Sequence, residues 1–277
     1  MESNKYIPLE GDSSTFFERV SEYVKMFDSD WENAIKGASR EKIDKYIEVA
    51  TKNNKQIVIP EEYIIYLEKM GEDDGGLLEN FICGSTNIDL LIGCYESVNP
   101  YADEMPEGYD EILECCDENT IGYLRIGFNT EVETEIFLKY NNHFDYEINR
   151  TASINPKFQE DNWFSSTFEK LLFQSIVFRY IYTTKKYGKE CVVPTCFIKE
   201  NNVIDAKKVM NQIDKVCQKQ WMTKAWISDQ YNYIAYNDTA IVYMKLDFNL
   251  YGDVWSDDEQ FAIELSDSIK HIWGYTD

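Results

Sequence analysis

Residues 57–71 have the sequence IVIPEEYIIYLEKMG, and this stretch fixes the first element of the fold. Pro60 suits the first turn of a helix, because the N–H that proline lacks has no partner there. Glu61 and Glu62 follow, and the helix dipole favours negative charge at that end. Apolar side chains then recur at helical spacing, at Tyr63, Ile64, Leu67 and Met70, before Gly71 ends the pattern. The stretch therefore predicts a helix with one buried face.

Similar signals predict two helices upstream. Thr15 and Glu18 have the spacing of a capping box, and an apolar stripe follows them. Ser39 is the predicted cap of the next helix, whose stripe includes Ile43 and Tyr46. Downstream of Gly71 the helical spacing of apolar residues ends, and the short apolar runs at residues 81–83 and 89–92 are predicted to be strands.

The centre of the chain predicts an antiparallel hairpin. Residues 122–128 have the composition of a strand, and residues 133–140 alternate between charged and apolar side chains. A period of two is typical of a half-buried strand. Residues 144–148 are its predicted hairpin partner. A second capping box, at residues 166–169, then opens a long apolar helix.

The last ninety residues predict a βαββα module. Its expected elements are a strand at 191–198, a helix capped by Asp205, strands at 225–236 and 239–250, and a helix opened by Ser256 and Glu259. The fold class is therefore α+β, with mostly antiparallel strands. We expect three segments: an N-terminal helical segment at 1–38, a main α+β domain at 39–186 and the C-terminal module at 187–277.

Composition limits the location and the cofactors. The chain is 44% hydrophobic and 15% aromatic, which is enough for a real core. It has no apolar run long enough to span a membrane and no basic-then-apolar start typical of a signal peptide, so we expect a cytoplasmic protein. Seven cysteines without a Cys-x-x-Cys pair predict reduced, mostly buried thiols. With two histidines and no paired spacing, we expect no metal site and no cofactor.

Negative charge is concentrated in one block. No basic residue lies between Lys69 and Arg125, whereas residues 70–124 hold fourteen Asp or Glu. Residues 70–138 contain seventeen acids and one base, a charge of −16 out of −23 for the chain. Such a field repels nucleic acid and anionic membranes and attracts basic proteins. Solubility alone is the alternative explanation, since acidic residues also keep proteins soluble.

A Pro- and Gly-containing stretch inside this block is the candidate partner-binding surface. Aromatic side chains are interleaved with its acids and can act as anchors; Tyr95 is a further candidate anchor. The predicted binding residues are Glu96, Tyr101, Asp103, Glu104, Glu107, Tyr109, Asp110, Glu111, Glu114, Asp117 and Glu118.

Signals for catalysis are weak. The sequence contains neither a Gly-x-x-x-x-Gly-Lys phosphate loop nor a Gly-x-Ser-x-Gly elbow. His143 falls at an expected hairpin tip and His271 near the end of the last helix, and both are interpreted as structural. A nuclease would need basic residues to hold phosphate, and the carboxylate-rich region has none. We therefore expect no enzymatic activity; a site built on carboxylates of the C-terminal module, such as Asp229 and Asp253, is the remaining enzymatic alternative.

Three stretches together form a recognisable pattern. They are residues 43–77, with Ile59-Pro60-Glu61-Glu62 and Asp74-Gly75-Gly76; residues 123–128, with Tyr123-Leu124-Arg125-Ile126-Gly127-Phe128; and residues 163–172, from Trp163 to Leu172. In order and spacing they resemble the SUKH superfamily, which includes fungal cell-wall-synthesis regulators and many bacterial toxin-immunity proteins. The resemblance covers residues 39–186 and does not extend over 187–277. Where the family has a small acidic residue after the central Gly, this chain has Asn129-Thr130.

The resemblance implies a bent, largely antiparallel sheet packed by helices, and no catalysis. It also implies a cytoplasmic immunity protein that binds a toxin C-terminal domain, such as a basic nuclease or deaminase. A regulatory scaffold with several partners and no toxin is the alternative within the same superfamily. Fold resemblance alone does not establish function, so both remain expectations.

Overall fold

The structure is a computed structural model that describes residues 7–52, 57–78, 84–96, 123–129, 134–140, 146–152, 163–165, 167–198, 205–246 and 249–275. It divides into two compact units. The N-terminal unit comprises Gly11–Trp163 and Thr167–Leu172, and the C-terminal unit comprises Met1–Glu10, Phe164–Ser166 and Phe173–Asp277. Residues 11–38, which the sequence analysis set apart, thus belong to the same unit as the helices that follow them.

The described part of the N-terminal unit contains four complete helices and a short two-stranded ladder, in addition to strands of a larger sheet. The helices are α1 (Phe16–Lys25), α2 (Arg40–Thr51), α3 (Glu61–Met70) and α4 (Ile88–Glu96), and the ladder joins β1 (Ile35–Lys36) to β2 (Asp73–Asp74). Ser39 caps α2 as predicted, because its hydroxyl accepts from Lys42 N at 3.3 Å. The predicted capping box at α1 was wrong: the Thr15 hydroxyl donates to Asp12 O at 3.0 Å and caps nothing.

Helix α4 overturns the predicted strand at residues 89–92. The Asn87 side chain accepts from Asp89 N at 2.9 Å and so starts a helix there. Ile88, Leu91 and Cys94 then follow at helical spacing and are fully buried. A short, nearly continuous apolar run fits a buried strand as well as a buried helix, and the cap decides between them.

The hairpin predicted at the centre of the chain is present. Strands β3 (Tyr123–Asn129), β4 (Thr134–Tyr140), β5 (Tyr146–Ala152) and β6 (Trp163–Ser165) form a four-stranded sheet in that order. β4 pairs antiparallel with both β3 and β5. A register shift between Arg125 and Gly127 marks a β-bulge, which locally bends a strand.

A cluster of buried tyrosines forms the core of the N-terminal unit. Tyr46, Tyr63 and Tyr66 are fully buried, and Phe168 packs edge-on to Tyr63 at 4.9 Å between ring centroids. Burial raises the pKa of all three phenols, so their hydroxyls stay protonated and act as donors. Tyr46 donates to the backbone carbonyl of Arg125, and Tyr66 donates to Asp74 at 3.1 Å.

The C-terminal unit is a five-stranded antiparallel sheet with helices. The elements are α5 (Phe168–Thr184, of which 173–184 lie in this unit), β7 (Tyr187–Pro194), α6 (Thr195–Ile198), α7 (Ala206–Lys219), β8 (Thr223–Lys224), β9 (Asn232–Tyr236), β10 (Ala240–Leu246), β11 (Asn249–Ser256) and α8 (Glu259–Lys270). The strands run in the order β7-β11-β10-β9-β8.

This unit has one more long strand than the predicted βαββα module. β11 was missed because Gly252 and Ser256 occupy two of its buried positions and hide the apolar alternation. Gly252 is required there, since a Cβ would lie 1.9 Å from the carbonyl oxygen of Tyr243 on β10. Asp205 caps α7 as predicted, accepting from Lys208 N at 2.9 Å. At α8 the cap is Asp258 rather than Ser256, and its carboxylate accepts from Gln260 N.

Both faces of the C-terminal sheet carry buried side chains. One face packs on α7 and α8 through a single apolar cluster that includes Val242, Met244, Ile213 and Leu265. On the opposite face Tyr243 contacts Phe178 of α5, with ring centroids 5.5 Å apart. The α+β class is thus realised in both units.

Helix α7 ends in a Schellman motif with an unusual residue at its left-handed position. Trp221 N donates to Gln218 O at 3.1 Å and Met222 N to Cys217 O at 3.2 Å. This geometry requires Trp221 to adopt φ of 56°, a conformation that normally falls to glycine. Cys217 and Met222 anchor the motif inside the apolar cluster, whereas the Trp221 side chain is 90% exposed.

Candidate functional site

An open groove lies between α2 and α4 in the N-terminal unit. Its volume is about 910 Å³, and its lining is mostly charged: Ser39, Glu41, Lys42, Asp44, Lys45, Glu48, Asp89 and Ile92. α2 supplies one wall because its charged positions recur on the face opposite its buried stripe. α4 supplies the other wall and ends at Glu96, the first of the predicted binding residues.

Lysines from the preceding elements neutralise the start of the acidic block. The Lys42 ammonium lies 2.6 Å from a Glu72 oxygen and 2.7 Å from an Asp89 oxygen. Lys36 also pairs with Glu72, and Lys45 lies 2.6 Å from Glu96. Hydrogen bonds from Lys36 and then Lys42 lower the pKa of the Glu72 carboxyl. The Glu96 carboxylate in turn raises the pKa of Lys45.

The other described acids in residues 70–124 are engaged as well. Asp74 is fully buried, and one of its oxygens accepts from Leu78 N at 2.6 Å and from the Tyr66 hydroxyl. Asp73 accepts from Gly75 N at 2.8 Å in the turn after α3. Each of the five described acids of this stretch therefore has an ion-pair or hydrogen-bond partner.

Eight of the other acids of the block lie, in the sequence, between α4 and β3. Residues 97–122 contain eight Asp or Glu and no Lys, Arg or His. These acids, with Tyr101 and Tyr109, make up every predicted binding residue except Glu96, and they lie outside the described residues: Tyr101, Asp103, Glu104, Glu107, Tyr109, Asp110, Glu111, Glu114, Asp117 and Glu118. We name residues 97–122 the acidic segment.

Both ends of the acidic segment are tied to one point of the core. Tyr95, at the end of α4, accepts a hydrogen bond from Arg125 N at 2.9 Å, just inside β3. The Arg125 guanidinium lies 5.0 Å from the Tyr95 ring centroid and 5.5 Å from that of Phe137. Arg125 is 2% exposed, so the one base of residues 70–138 is a core residue rather than a surface charge. Tyr95 is likewise a packing residue, with its ring 6.1 Å from Tyr46, and not an exposed anchor.

Sequence reasoning missed the lysines that border the site. Lys42 and Lys45 lie in α2, far along the chain from Asp89 and Glu96, and no local pattern links them. Only the packing of α2 against α4 brings these charges together. The only signal in the sequence was that basic residues, among them Lys36, Lys42 and Lys45, precede the base-free block and are absent within it.

The carboxylates of the C-terminal unit serve several roles. One oxygen of Asp229 accepts from the backbone N–H groups of Tyr231 and Asn232, both at 2.8 Å. Its other oxygen accepts from the Ser165 hydroxyl and the Gln174 amide, both at 3.1 Å. Asp229 therefore holds a turn in place. Asp253 faces Glu190 across β11 and β7, and burial, followed by the Glu190 charge, raises its pKa.

Potential metal ligands and free cysteines are the other candidates for a chemical site. Among the residues that the structure describes, no three His, Cys, Asp or Glu side chains come together as a metal site would require. Cys94, Cys191 and Cys217 are buried free thiols, and Cys196 is exposed. Burial raises the pKa of the Cys217 thiol to about 12.

No protein-family model, curated protein or solved structure matches this chain. None of the helices in the described part of the chain combines the length and the apolar character needed to cross a membrane.

Proposed function

We propose that this protein binds and neutralises a basic bacterial toxin domain, such as a nuclease or deaminase, without chemistry of its own. The acidic segment is the proposed binding surface. The observation that carries the proposal is its charge: eight acids without a base, leaving the core at Glu96 and returning at Tyr123.

The ion pairs of α2 sharpen this argument. Glu72, Asp89 and Glu96 already have lysine partners, so they contribute little to a long-range field. The acidic segment adds eight further acids and no base to this part of the sequence. The hydrogen bond between Tyr95 and Arg125 joins the described residues on either side of this segment.

A basic partner is the natural counterpart of such a surface. Nucleases and deaminases act on polyanions and present basic grooves to them. Complementary charge steers association and raises on-rates by about 10- to 1,000-fold at low salt. Fast capture suits an inhibitor that must act before a toxin damages its own cell. The resemblance to the SUKH superfamily supports the same reading, since its bacterial members neutralise toxins.

The proposal requires a gene for a large secreted protein beside this one, and it is tested with the C-terminal domain of that protein. We expect a stoichiometric complex whose on-rate falls steeply as salt is raised, measured by stopped-flow fluorescence. Reversing Glu104, Glu107, Asp110 and Glu111 to Lys should lower the on-rate at least about tenfold and abolish protection of cells that express the toxin.

A matched variant separates this surface from total charge. Glu10, Glu22, Asp30 and Glu264 are exposed acids elsewhere in the chain, and reversing them changes the net charge by the same amount. This control should keep most of the on-rate and all of the protection. If both quadruple variants behave alike, the acidic segment is not the binding surface. If several unrelated proteins bind and the neighbouring toxin does not, the regulatory scaffold replaces the immunity protein.

A further inference from the structure

Trp221 is the most exposed large apolar side chain in the described part of the protein. It is 90% exposed, whereas the next, Leu9, is 60% exposed. Its backbone also has φ of 56°, which crowds the Cβ of any residue except glycine. Backbone strain of this kind persists where it positions a functional group. Nothing in the packing of the C-terminal unit requires an indole at this position.

The surface beside Trp221 is basic in a chain that is otherwise strongly acidic. Residues 206–224 contain five lysines and one aspartate, a local charge of +4 against −23 for the whole chain. Lys215, Gln218, Lys219, Gln220, Trp221 and Lys224 are all exposed. We name these six residues the Trp221 face.

The lysines of this face differ from those of the N-terminal unit. Lys36, Lys42 and Lys45 each form an ion pair. Lys215 and Lys219 form none with any carboxylate in the described ranges. The one acid of α7, Asp214, is occupied by neutral donors: Tyr233 at 2.9 Å and Gln218 at 2.7 Å.

Stability does not explain the arrangement. A lysine at the C-terminus of a helix favours the dipole, which accounts for Lys219 alone. Lys215 lies one turn before Lys219, and like charges at this spacing repel each other. An exposed indole in a left-handed conformation adds further cost. Together these features form a surface that is unfavourable for the isolated protein and ready for a partner.

We propose that the Trp221 face binds a short acidic peptide stretch of a partner protein. Carboxylates of that stretch pair with Lys215 and Lys219, and one of its apolar side chains packs on the Trp221 indole. Tryptophan is a frequent binding hot spot, because a rigid indole buries a large area at low cost in side-chain entropy. The partner is distinct from the basic toxin domain, which the charge of this face repels.

Charge decides between an acidic peptide and a nucleic acid. DNA carries one negative charge per roughly 1.7 Å of duplex and extends beyond a small patch. It would therefore meet the acidic remainder of the chain and be repelled. A short acidic peptide confines its few charges to the lysines of the face.

The test uses the full chain and a Trp-free peptide of about twelve residues that mixes Asp, Glu and Leu. Titration calorimetry measures the affinity, and the indole N–H resonance of Trp221, assigned by its loss in Trp221→Gly, reports the site of binding. We expect saturable binding that weakens with salt and perturbs Trp221. Trp221→Gly, which suits the left-handed position, should raise Kd roughly tenfold. The double variant K215Q/K219Q should raise it roughly fivefold, the effect of two exposed ion pairs.

The control removes the same charge elsewhere: K52Q/K186Q alters two exposed lysines and should leave Kd within about twofold. Lack of binding at millimolar peptide overturns the proposal. So does equal loss of affinity in the two double variants. A single-stranded oligonucleotide or an anionic phosphatidylglycerol vesicle that binds as tightly as the peptide, with the same sensitivity to Trp221→Gly, replaces the acidic protein partner by nucleic acid or membrane.

Discussion

Replacing Trp221 with glycine should change the free energy of unfolding of the C-terminal unit very little. A tryptophan truncation in a protein core typically costs about 3–5 kcal/mol. Trp221 differs in two respects: its side chain is 90% exposed, and its backbone has φ of 56°. Because the side chain is exposed, its removal loses little of the buried contact that makes a core truncation costly. Because φ is positive, glycine adopts this backbone conformation with less strain than tryptophan.

The magnitude follows from three contributions. Relief of the left-handed strain stabilises the folded state by about 1–2 kcal/mol. The greater conformational freedom of glycine in the unfolded chain lowers the free energy of unfolding by about 0.5–1 kcal/mol. Loss of the buried tenth of the indole, on the order of 20 Å², costs roughly 0.5 kcal/mol. The net effect therefore lies between a loss of about 0.5 and a gain of about 1 kcal/mol.

Urea unfolding, monitored through amide hydrogen exchange in α7, measures this change in the free energy of unfolding. Trp221→Ala is the matched comparison, because alanine loses the same indole but keeps the left-handed strain. Trp221→Gly should therefore be more stable than Trp221→Ala by about 1 kcal/mol, the reverse of their usual order in a helix. The reasoning fails if alanine is the more stable variant, or if glycine costs more than about 2 kcal/mol.

Three further predictions concern ion pairing, packing and thiol reactivity. Lys42→Met should cost about 1 kcal/mol at neutral pH, while Lys42→Arg should not. Hydrogen bonds from Lys36 and Lys42 hold the pKa of Glu72 below its ordinary 4.5 in the folded protein. The stabilisation by these ion pairs is therefore fully present above the pKa of Glu72 in the unfolded chain, and it is lost as the pH falls through the pKa in the folded protein. Urea titrations at decreasing pH should show the difference in stability between Lys42→Met and the parent disappear. Gly252→Ala should destabilise by about 3 kcal/mol or more, since its Cβ meets a backbone oxygen; a thermal midpoint within a few degrees of the parent would contradict this. In a variant whose cysteines outside the described residues are serine, a thiol reagent at about pH 8 should label Cys196 alone, and labelling of Cys217 before unfolding would disprove its burial.

Local signals in the sequence predicted the elements that depend on them. Pro60 marked the start of α3, the alternation of residues 133–140 marked β4, and Asp205 marked α7. Helix α4 was missed because its short, nearly continuous apolar run fits a buried strand as well as a buried helix. Strand β11 was missed because Gly252 takes an inward position where an apolar residue would have shown the alternation.

The candidate site was less predictable than the fold. Its charge was evident from the sequence, but the pairing of Lys42 with Asp89 and of Lys45 with Glu96 arises only when α2 packs on α4. The strain at Trp221 could not be predicted, because the sequence places no glycine where the Schellman motif needs one.

The hydrogen bond between Tyr95 and Arg125 has an evolutionary consequence. It joins the two described elements on either side of the 26-residue acidic segment, so α4 and β3 contact each other directly. The free energy of closing such a loop rises by only about 0.6 kcal/mol for each doubling of its length. We therefore expect changes in the length of the acidic segment to cost little stability. Such a segment can change in sequence and length while α4 and β3 stay fixed, which is what the proposed binding of a changing toxin would require.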